Sequence, residues 1–239
     1  MAEQEGTGLL MYCIGAEASA LPGSGSGLQG VELRRVVYGG LAAVVSPIMD
    51  RARVETPPTV DLLEYERVVH SQHAVADVVP MRFGSVLSDE VEVRAHLEAR
   101  REAYLHTLER IAGCVELGIR ALVSLSGPLE TAEEIATPMI RSGADYLKAR
   151  QRRYSADHRL RDQCTALEQA LLAKVAPLCR EHRMEFSPSR SGAPALCSLY
   201  FLVPREEVSA FRDALTPVAN DTSAKLAVSG PWPPFNFVA

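Results

Sequence analysis

Pro80 separates two stretches of helical periodicity, and Val79-Pro80-Met81-Arg82-Phe83-Gly84 around it constrains what the rest of the chain can build. A proline has no N–H to donate, and its ring disfavours helical geometry in the preceding residue, so the pattern running from Asp61 to Val78 must stop there. Helical spacing resumes at Ser88 and continues to Ala112. The residues between are predicted to be short and extended, with Met81 and Phe83 on one side and Arg82 and Gly84 on the other. A charged side chain inside an apolar strand is costly unless it is paired. Arg82 therefore needs a carboxylate, for which Glu116 is the candidate if the two strands are neighbours, or a partner surface. No catalytic constellation contains these residues, which points to architecture or binding.

The first of the two helical patterns opens on Asp61-Leu62-Leu63-Glu64, which has the form of a capping box. Leu62, Tyr65, Val69, Ala76 and Val79 recur at helical spacing and predict one buried face. The second opens on Ser88-Asp89-Glu90, carries a stripe of Val93, Leu97, Tyr104, Leu108 and Ile111, and ends at Gly113. Upstream, Leu9 to Ile14 reads as a strand. Val31 to Val37 and Leu41 to Val45 flank Gly39-Gly40 and predict a β-hairpin, because paired glycines supply the positive φ angles of a primed turn. Downstream, Val115, Leu117, Ile119, Ala121 and Val123 alternate with Glu116, Gly118 and Arg120. That pattern predicts a strand buried mainly on one face, in a sheet covered by helices on one side. The first half therefore reads as α+β.

The remainder divides at 126–138, where Gly127-Pro128, Glu133-Glu134 and Pro138 mark a junction. A long helical pattern runs from Gly143 to the region of Pro177, strongly charged at first and then carrying the seam Leu160, Cys164, Leu167, Leu171, Val175 and Leu178. Strands are predicted at Met184–Ser187 and Ala195–Val203, joined by the turn-rich 188–194. A helix follows from Pro204 to Leu215, and a last strand from Thr222 to Val228. We place an N-terminal domain at 1–125, a linker at 126–140, a C-terminal domain at 141–230 and an aromatic, proline-rich tail at 231–239. The tail, Gly230-Pro231-Trp232-Pro233-Pro234-Phe235-Asn236-Phe237, cannot form a helix. Its aromatics either dock on their own molecule or grip a partner, and self-docking is the preferred reading.

Composition narrows the function. Of the 239 residues, 47% are apolar and 23% charged, the balance of a globular chain with enough material for a core. A net charge of −5 excludes a general polyanion binder. The five widely spaced cysteines suit free thiols in a reducing cytoplasm. The acidic N-terminus has no apolar run of a signal peptide, and no tract has the length of a membrane span.

Glu66, His70 and His73 share a helix face but lack a further placed ligand, and Cys179-x-x-His182 lacks a second half, so no metal site is assigned. Gly23-x-Gly25-x-Gly27 leads into a strand rather than a helix, which rejects a phosphate cradle. No nucleophile elbow, P-loop or HExxH pattern occurs. Lys148, Arg150, Arg152, Arg153, Arg159 and Arg161 spread around their helix, interrupted by Asp145, Asp157 and Asp162, and read as a solvated face rather than a nucleic-acid footprint.

Three segments resemble the gas vesicle protein F/L family. Val79-Pro80-Met81-Arg82-Phe83-Gly84-Ser85-Val86 is similar to its Leu-Pro-x-Arg-Phe-Gly-Thr-x core. Val115 to Arg120, followed by Gly143-Ala144-Asp145-Tyr146-Leu147-Lys148-Ala149-Arg150, is similar to its Gly-x-x-Tyr-Leu-x-x-Arg motif. The closing Gly230 to Phe237 is the third. Departures fall at Ser85, at Asn236 and at Tyr65, where the family pattern has His.

The resemblance implies two α+β domains: an N-terminal mixed sheet with helices on one face, and a ferredoxin-like C-terminal domain with a long leading helix. It implies an assembly accessory or minor structural protein that binds the very hydrophobic gas vesicle shell subunit during nucleation and limits its aggregation. Other gas vesicle accessory proteins are further expected partners. It carries no cofactor, no catalytic residue, no nucleic acid and no membrane. The expected contact residues are Met81, Arg82, Phe83, Gly84, Tyr146, Arg150, Trp232, Phe235 and Phe237, on an uncovered face of the first sheet or between the domains. The competing class is a small-molecule enzyme or ligand-binding α+β protein, which would need a deep cleft with converging ionisable groups.

Overall fold

The computed structural model describes residues 8–19, 25–123, 143–188, 195–221 and 225–238. The chain divides into two compact units, Met1–Glu116 with Trp232–Ala239, and Leu117–Pro231. Both are α+β. The expected linker at 126–140 lies outside the described residues, as do positions 189–194 of the predicted turn.

In the first unit, β1 (Leu9–Ala16), β2 (Arg34–Tyr38), β3 (Leu41–Pro47) and β4 (Val78–Pro80) form a sheet in the order β2-β3-β1-β4. The short β5 (Val86–Leu87) also pairs with β1. The hairpin turns at Gly39 and Gly40, with φ of +56° and +87°. All described pairings in this sheet are antiparallel, which corrects the expected mixed sheet. β3 and β4 do run in the same direction, but β1 lies between them, so neither meets a parallel neighbour.

Helices on one face only is also corrected. Successive strand residues point to opposite faces, yet β1 from Leu9 to Gly15 and β3 from Leu41 to Ser46 are buried throughout. On one side, Leu10, Tyr12, Ala42 and Val44 cluster with Tyr65, Val68 and Val69 of α2 (Thr59–Val75). A bulge between Met11 and Cys13 puts both Tyr12 and Cys13 into that cluster. Met11, Ala43 and Val45 are equally buried. The helices α3 (Glu90–Ala99) and α4 (Arg101–Ile111) pack on strands of this sheet through the predicted stripe Val93, Leu97, Tyr104, Leu108 and Ile111.

Local chemistry differs from the sequence pattern at three places. Asp61 does not cap α2. It is 1% exposed and takes Arg53 of α1 (Ala52–Glu55) through two hydrogen bonds of 2.9 and 2.5 Å. The side-chain cap appears instead at Asp89, which accepts from Glu92 N–H at 2.9 Å, while the Glu92 carboxylate takes Ser88 N–H at 2.6 Å and its hydroxyl at 2.7 Å. The buried face of α2 is Asp61, Tyr65, Val68, Val69, Gln72 and His73; Leu62, expected inside, is 40% exposed. Finally, the strand after Pro80 stops at once. Met81 N–H still reaches Tyr12 O at 2.9 Å, but Ser85 donates its N–H and hydroxyl to Arg82 O at 3.1 and 2.7 Å and Gly84 sits at φ +87°, so Arg82–Ser85 is a turn rather than an extended segment.

The second unit runs β6 (Cys114–Val123), α5 (Gly143–Val175), β7 (Glu181–Ser187), β8 (Ala195–Pro204), α6 (Val208–Asp221) and β9 (Lys225–Trp232). Its sheet has the order β7-β8-β6-β9. Leu160, Cys164, Leu167, Leu171 and Val175 are the buried seam of α5, and Phe201 of β8 meets Phe211 of α6 with ring centroids 5.1 Å apart. The amino-terminal half of α5 is exposed at Tyr146, Leu147, Arg150 and Tyr154.

Candidate functional site

The tail builds the most distinctive surface of the first unit. Pro231, Pro233 and Pro234 exclude a long helix, and a short 3-10 turn closes at Phe235–Phe237 through Phe235 N–H to Pro233 O at 2.8 Å and Phe237 N–H to Pro234 O at 3.1 Å. Glu116 then pins the tail. Its two carboxylate oxygens accept from Asn236 N–H at 2.8 Å and Asn236 Nδ2 at 2.6 Å. Arg110 donates to Phe237 O. Phe237 is fully buried, and Pro233 and Pro234 are buried with it.

Trp232 stays 39% exposed, edge-on to His70 of α2 with centroids 6.2 Å apart. A groove of about 200 Å³ lies between α2 and the tail, lined by Leu63, Glu66, Arg67, His70, Trp232, Pro233 and Phe235. Leu63 is 59% exposed. Sequence reasoning missed this groove and its α2 residues. The signal was present in Val60, Leu62 and Leu63, more apolar residues than one buried face accommodates.

Tyr65 links the tail to the Arg82 turn. Its ring stacks on Tyr12 at 5.0 Å and takes the edge of Phe83 at 5.2 Å. Its hydroxyl lies 2.8 Å from Met81 O, 3.1 Å from Met11 O and 3.3 Å from Tyr12 O. Tyr12 in turn accepts from Leu28 N–H at 2.7 Å and pairs with Ser46 Oγ at 2.9 Å. Burial pushes both phenols above the ordinary tyrosine value. Phe83 and Phe235 both pack against the same cluster. The structure thus joins Met81, Phe83, Phe235 and Trp232 around α2.

Arg82 and Gly84 are exposed on the turn. Arg82 makes no ion pair with a described residue, and the carboxylate expected for it, Glu116, is occupied by Asn236. Tyr146 and Arg150 belong to α5 of the second unit, where the Arg150 guanidinium lies 5.5 Å from the Tyr154 ring centroid.

The remaining candidates have structural partners. Cys179 donates to Ala176 O at 3.8 Å, and His182 stacks on Phe201 and meets Glu168 at 3.3 Å. Among the described residues, no group of three His, Cys, Asp or Glu side chains is placed to hold a metal ion. Burial pushes the Cys13, Cys164 and Cys197 thiols up, which keeps them protonated at neutral pH. Among the described residues, no helix is long and apolar enough to cross a membrane.

The family model of the gas vesicle synthesis protein GvpL/GvpF matches residues 8–239. The chain belongs to this family. It is 28% identical over 212 residues to gas vesicle protein F of Streptomyces sp. (strain CB03234), covering 86% of this chain and 87% of that protein. It is also 28% identical over 236 residues to gas vesicle protein L of the same organism, covering 91% and 87%. In fold it is similar to the crystal structure of gas vesicle protein GvpF from Microcystis aeruginosa, with a TM-score of 0.74, 14% identity and coverage of 98% and 99%. GvpF from Anabaena sp. PCC7120 gives a TM-score of 0.73, 17% identity and coverage of 97% and 96%. The GvpL/GvpF match spans both units and includes the Arg82 turn, the Tyr146–Arg150 motif and the aromatic tail.

Proposed function

We propose that this GvpL/GvpF-family chain binds the main gas vesicle shell protein during nucleation, through the α2–tail groove, and limits its aggregation as an assembly accessory or minor structural component. The observation that carries this is an open groove on a fastened frame, in which exposed Trp232 and Leu63 lie beside Phe235 and the charged Glu66 and Arg67. Trp232 and Leu63 remain partly exposed, although the tail carrying Trp232 is fastened by Glu116 and Arg110.

A very hydrophobic subunit self-associates unless its apolar surface is covered. A preorganised tryptophan beside an aliphatic side chain supplies such cover at little ordering cost. The groove replaces the sheet face as the contact surface, because both faces of the first sheet are already covered by its own side chains. Its volume of about 200 Å³ falls short of the ~300–1,000 Å³ of ordinary small-molecule sites, which favours a protein partner over a metabolite. The family is one of gas vesicle synthesis, and we assign this member no catalytic step, no cofactor and a place in the cytoplasm and on the gas vesicle. The order β6-α5-β7-β8-α6-β9, with β8 and β6 central, supports reading the second unit as ferredoxin-like.

The test is co-expression of the full chain with the main shell protein. Leu63→Asp with Trp232→Ala is expected to lower capture at least tenfold and to raise the aggregated shell fraction, as loss of a hot spot of about 2 kcal/mol requires, while circular dichroism stays unchanged. Capture equal to wild type by that folded variant overturns the reading.

A further inference from the structure

Tyr146, Arg150 and Tyr154 follow at four-residue spacing on α5, so their side chains lie in one line along the helix. Tyr146 is 49% exposed, Leu147 beside it 64% and Tyr154 61%. The Arg150 guanidinium lies over the Tyr154 ring, and its Nη2 donates to the Tyr154 hydroxyl at 3.2 Å. The cation thus rests on an uncharged aromatic group, with the exposed Tyr146 one turn away on the same line, and no described carboxylate neutralises it. By contrast, Arg53 is taken by Asp61 and Arg94 by Glu90.

Two observations say what fits this line. The chain carries a net charge of −5, yet 145–162 holds Lys148, Arg150, Arg152, Arg153, Arg159 and Arg161 against Asp145, Asp157 and Asp162. An acidic partner is therefore attracted here and repelled by the molecule at large, which gives orientation as well as attraction. Arginine and tyrosine fixed in advance lose little freedom on binding and are the residue types that dominate interface energetics. The exposed Leu147 adds an apolar contact that a nucleic-acid backbone does not use.

We infer that the Tyr146–Arg150–Tyr154 line is a docking surface for an acidic, apolar segment of another polypeptide. A carboxylate of that segment takes the outward edge of the Arg150 guanidinium, in the paired geometry that guanidinium and carboxylate favour. An aliphatic neighbour lies on Leu147 and the tyrosine rings. This surface is separate from the α2–tail groove and stands or falls independently of it.

The experiment uses the full chain and fluorescein-labelled helical peptides of glutamate and leucine, with glutamine-for-glutamate and lysine-for-glutamate counterparts and oligothymidylate as a fourth probe. Fluorescence anisotropy is expected to give the glutamate peptide at least about tenfold tighter binding than the glutamine one, with the lysine peptide weaker still. Arg150→Gln is expected to erase that preference, and Arg150→Glu to reverse it in favour of lysine. Tyr146→Ala with Tyr154→Ala keeps the charge but frees the guanidinium, and is expected to weaken binding several-fold. Equal or tighter binding of the lysine peptide by wild type overturns the assignment, as does an acidic preference that survives Arg150→Gln in a variant with wild-type helix content. Oligothymidylate bound more tightly than the glutamate peptide, in an Arg150-dependent way, reassigns the line to nucleic acid and also overturns it.

Discussion

Glu116 sits where an alternating strand pattern assigns a side chain to water, yet it is 4% exposed because the tail folds over it. Its carboxylate receives two hydrogen bonds from Asn236, a residue far away in sequence. Removing it leaves buried donors without an acceptor, and hydrogen bonds to a charged group are the stronger kind. Glu116→Ala is expected to cost about 2–3 kcal/mol in the first unit. It should also shift Trp232 emission to the red in native buffer as the tail loosens. Trp232 is the single tryptophan of the chain, so the signal needs no assignment. Gly27 makes a related point. A Cβ there would stand 2.8 Å from the Tyr12 hydroxyl and 2.9 Å from Leu33 Cδ2, which explains by close packing a glycine that resembles part of a phosphate loop.

Among the elements, α2 and α3 show how similar starting sequences diverge. Asp61-Leu62-Leu63-Glu64 and Asp89-Glu90-Val91-Glu92 both place a carboxylate three residues after an aspartate. Only the second acts as a cap: α2 already begins at Thr59, so Asp61 lies inside it with its carboxylate on Arg53, while Glu64 accepts from Gln29 N–H at 2.9 Å. Asp89→Ala is expected to lower stability by about 1 kcal/mol, the usual value of an N-cap, read as a lower urea midpoint with an unchanged slope. The break between α3 and α4 at Arg100, with φ −118° and ψ 13°, falls at no proline or glycine. His96 Nε2 and the Tyr104 hydroxyl bridge it at 2.7 Å, and Arg101 is drawn to Gly39 O at 2.6 Å. Leu97 and Tyr104 keep their helical phase across it, so the hydrophobic stripe gave no warning.

For the whole molecule, buried acids whose neutral form is favoured make alkaline pH the sensitive side. Burial raises Tyr12, Tyr65 and Cys13 in the first unit and Cys164 in the second, and pushes Cys197 from 9.0 up to about 12. The folded chain then holds these protons at a pH where the unfolded chain releases them. Stability is complete below about pH 9 and falls as pH rises towards 12. Urea midpoints across that range should decline in both units, by Trp232 fluorescence for the first and far-ultraviolet circular dichroism for the two together. Cys197→Ala should flatten the limb seen by dichroism and leave that of Trp232 in place.

What the sequence determined by itself was local and periodic. Gly39-Gly40 dictated the hairpin, Gly113 the end of α4, and the leucine seam from Leu160 the buried face of α5; each depends on contacts within a few residues or on one repeating face. Pro80 did not end α2: the helix stops at Val75, and Ala76 and Val79, read from the pattern as part of its buried face, lie beyond it, Val79 in β4. Motif order over most of the chain also pointed to the family. Tertiary structure decided which strands became neighbours, how many faces of the first sheet were covered and which carboxylate met which donor. Glu116 and Asn236, or Leu63 and Trp232, meet only after the chain has closed on itself. Neither periodicity nor propensity carries that information, because both describe a residue's own segment and not the segment that will cover it.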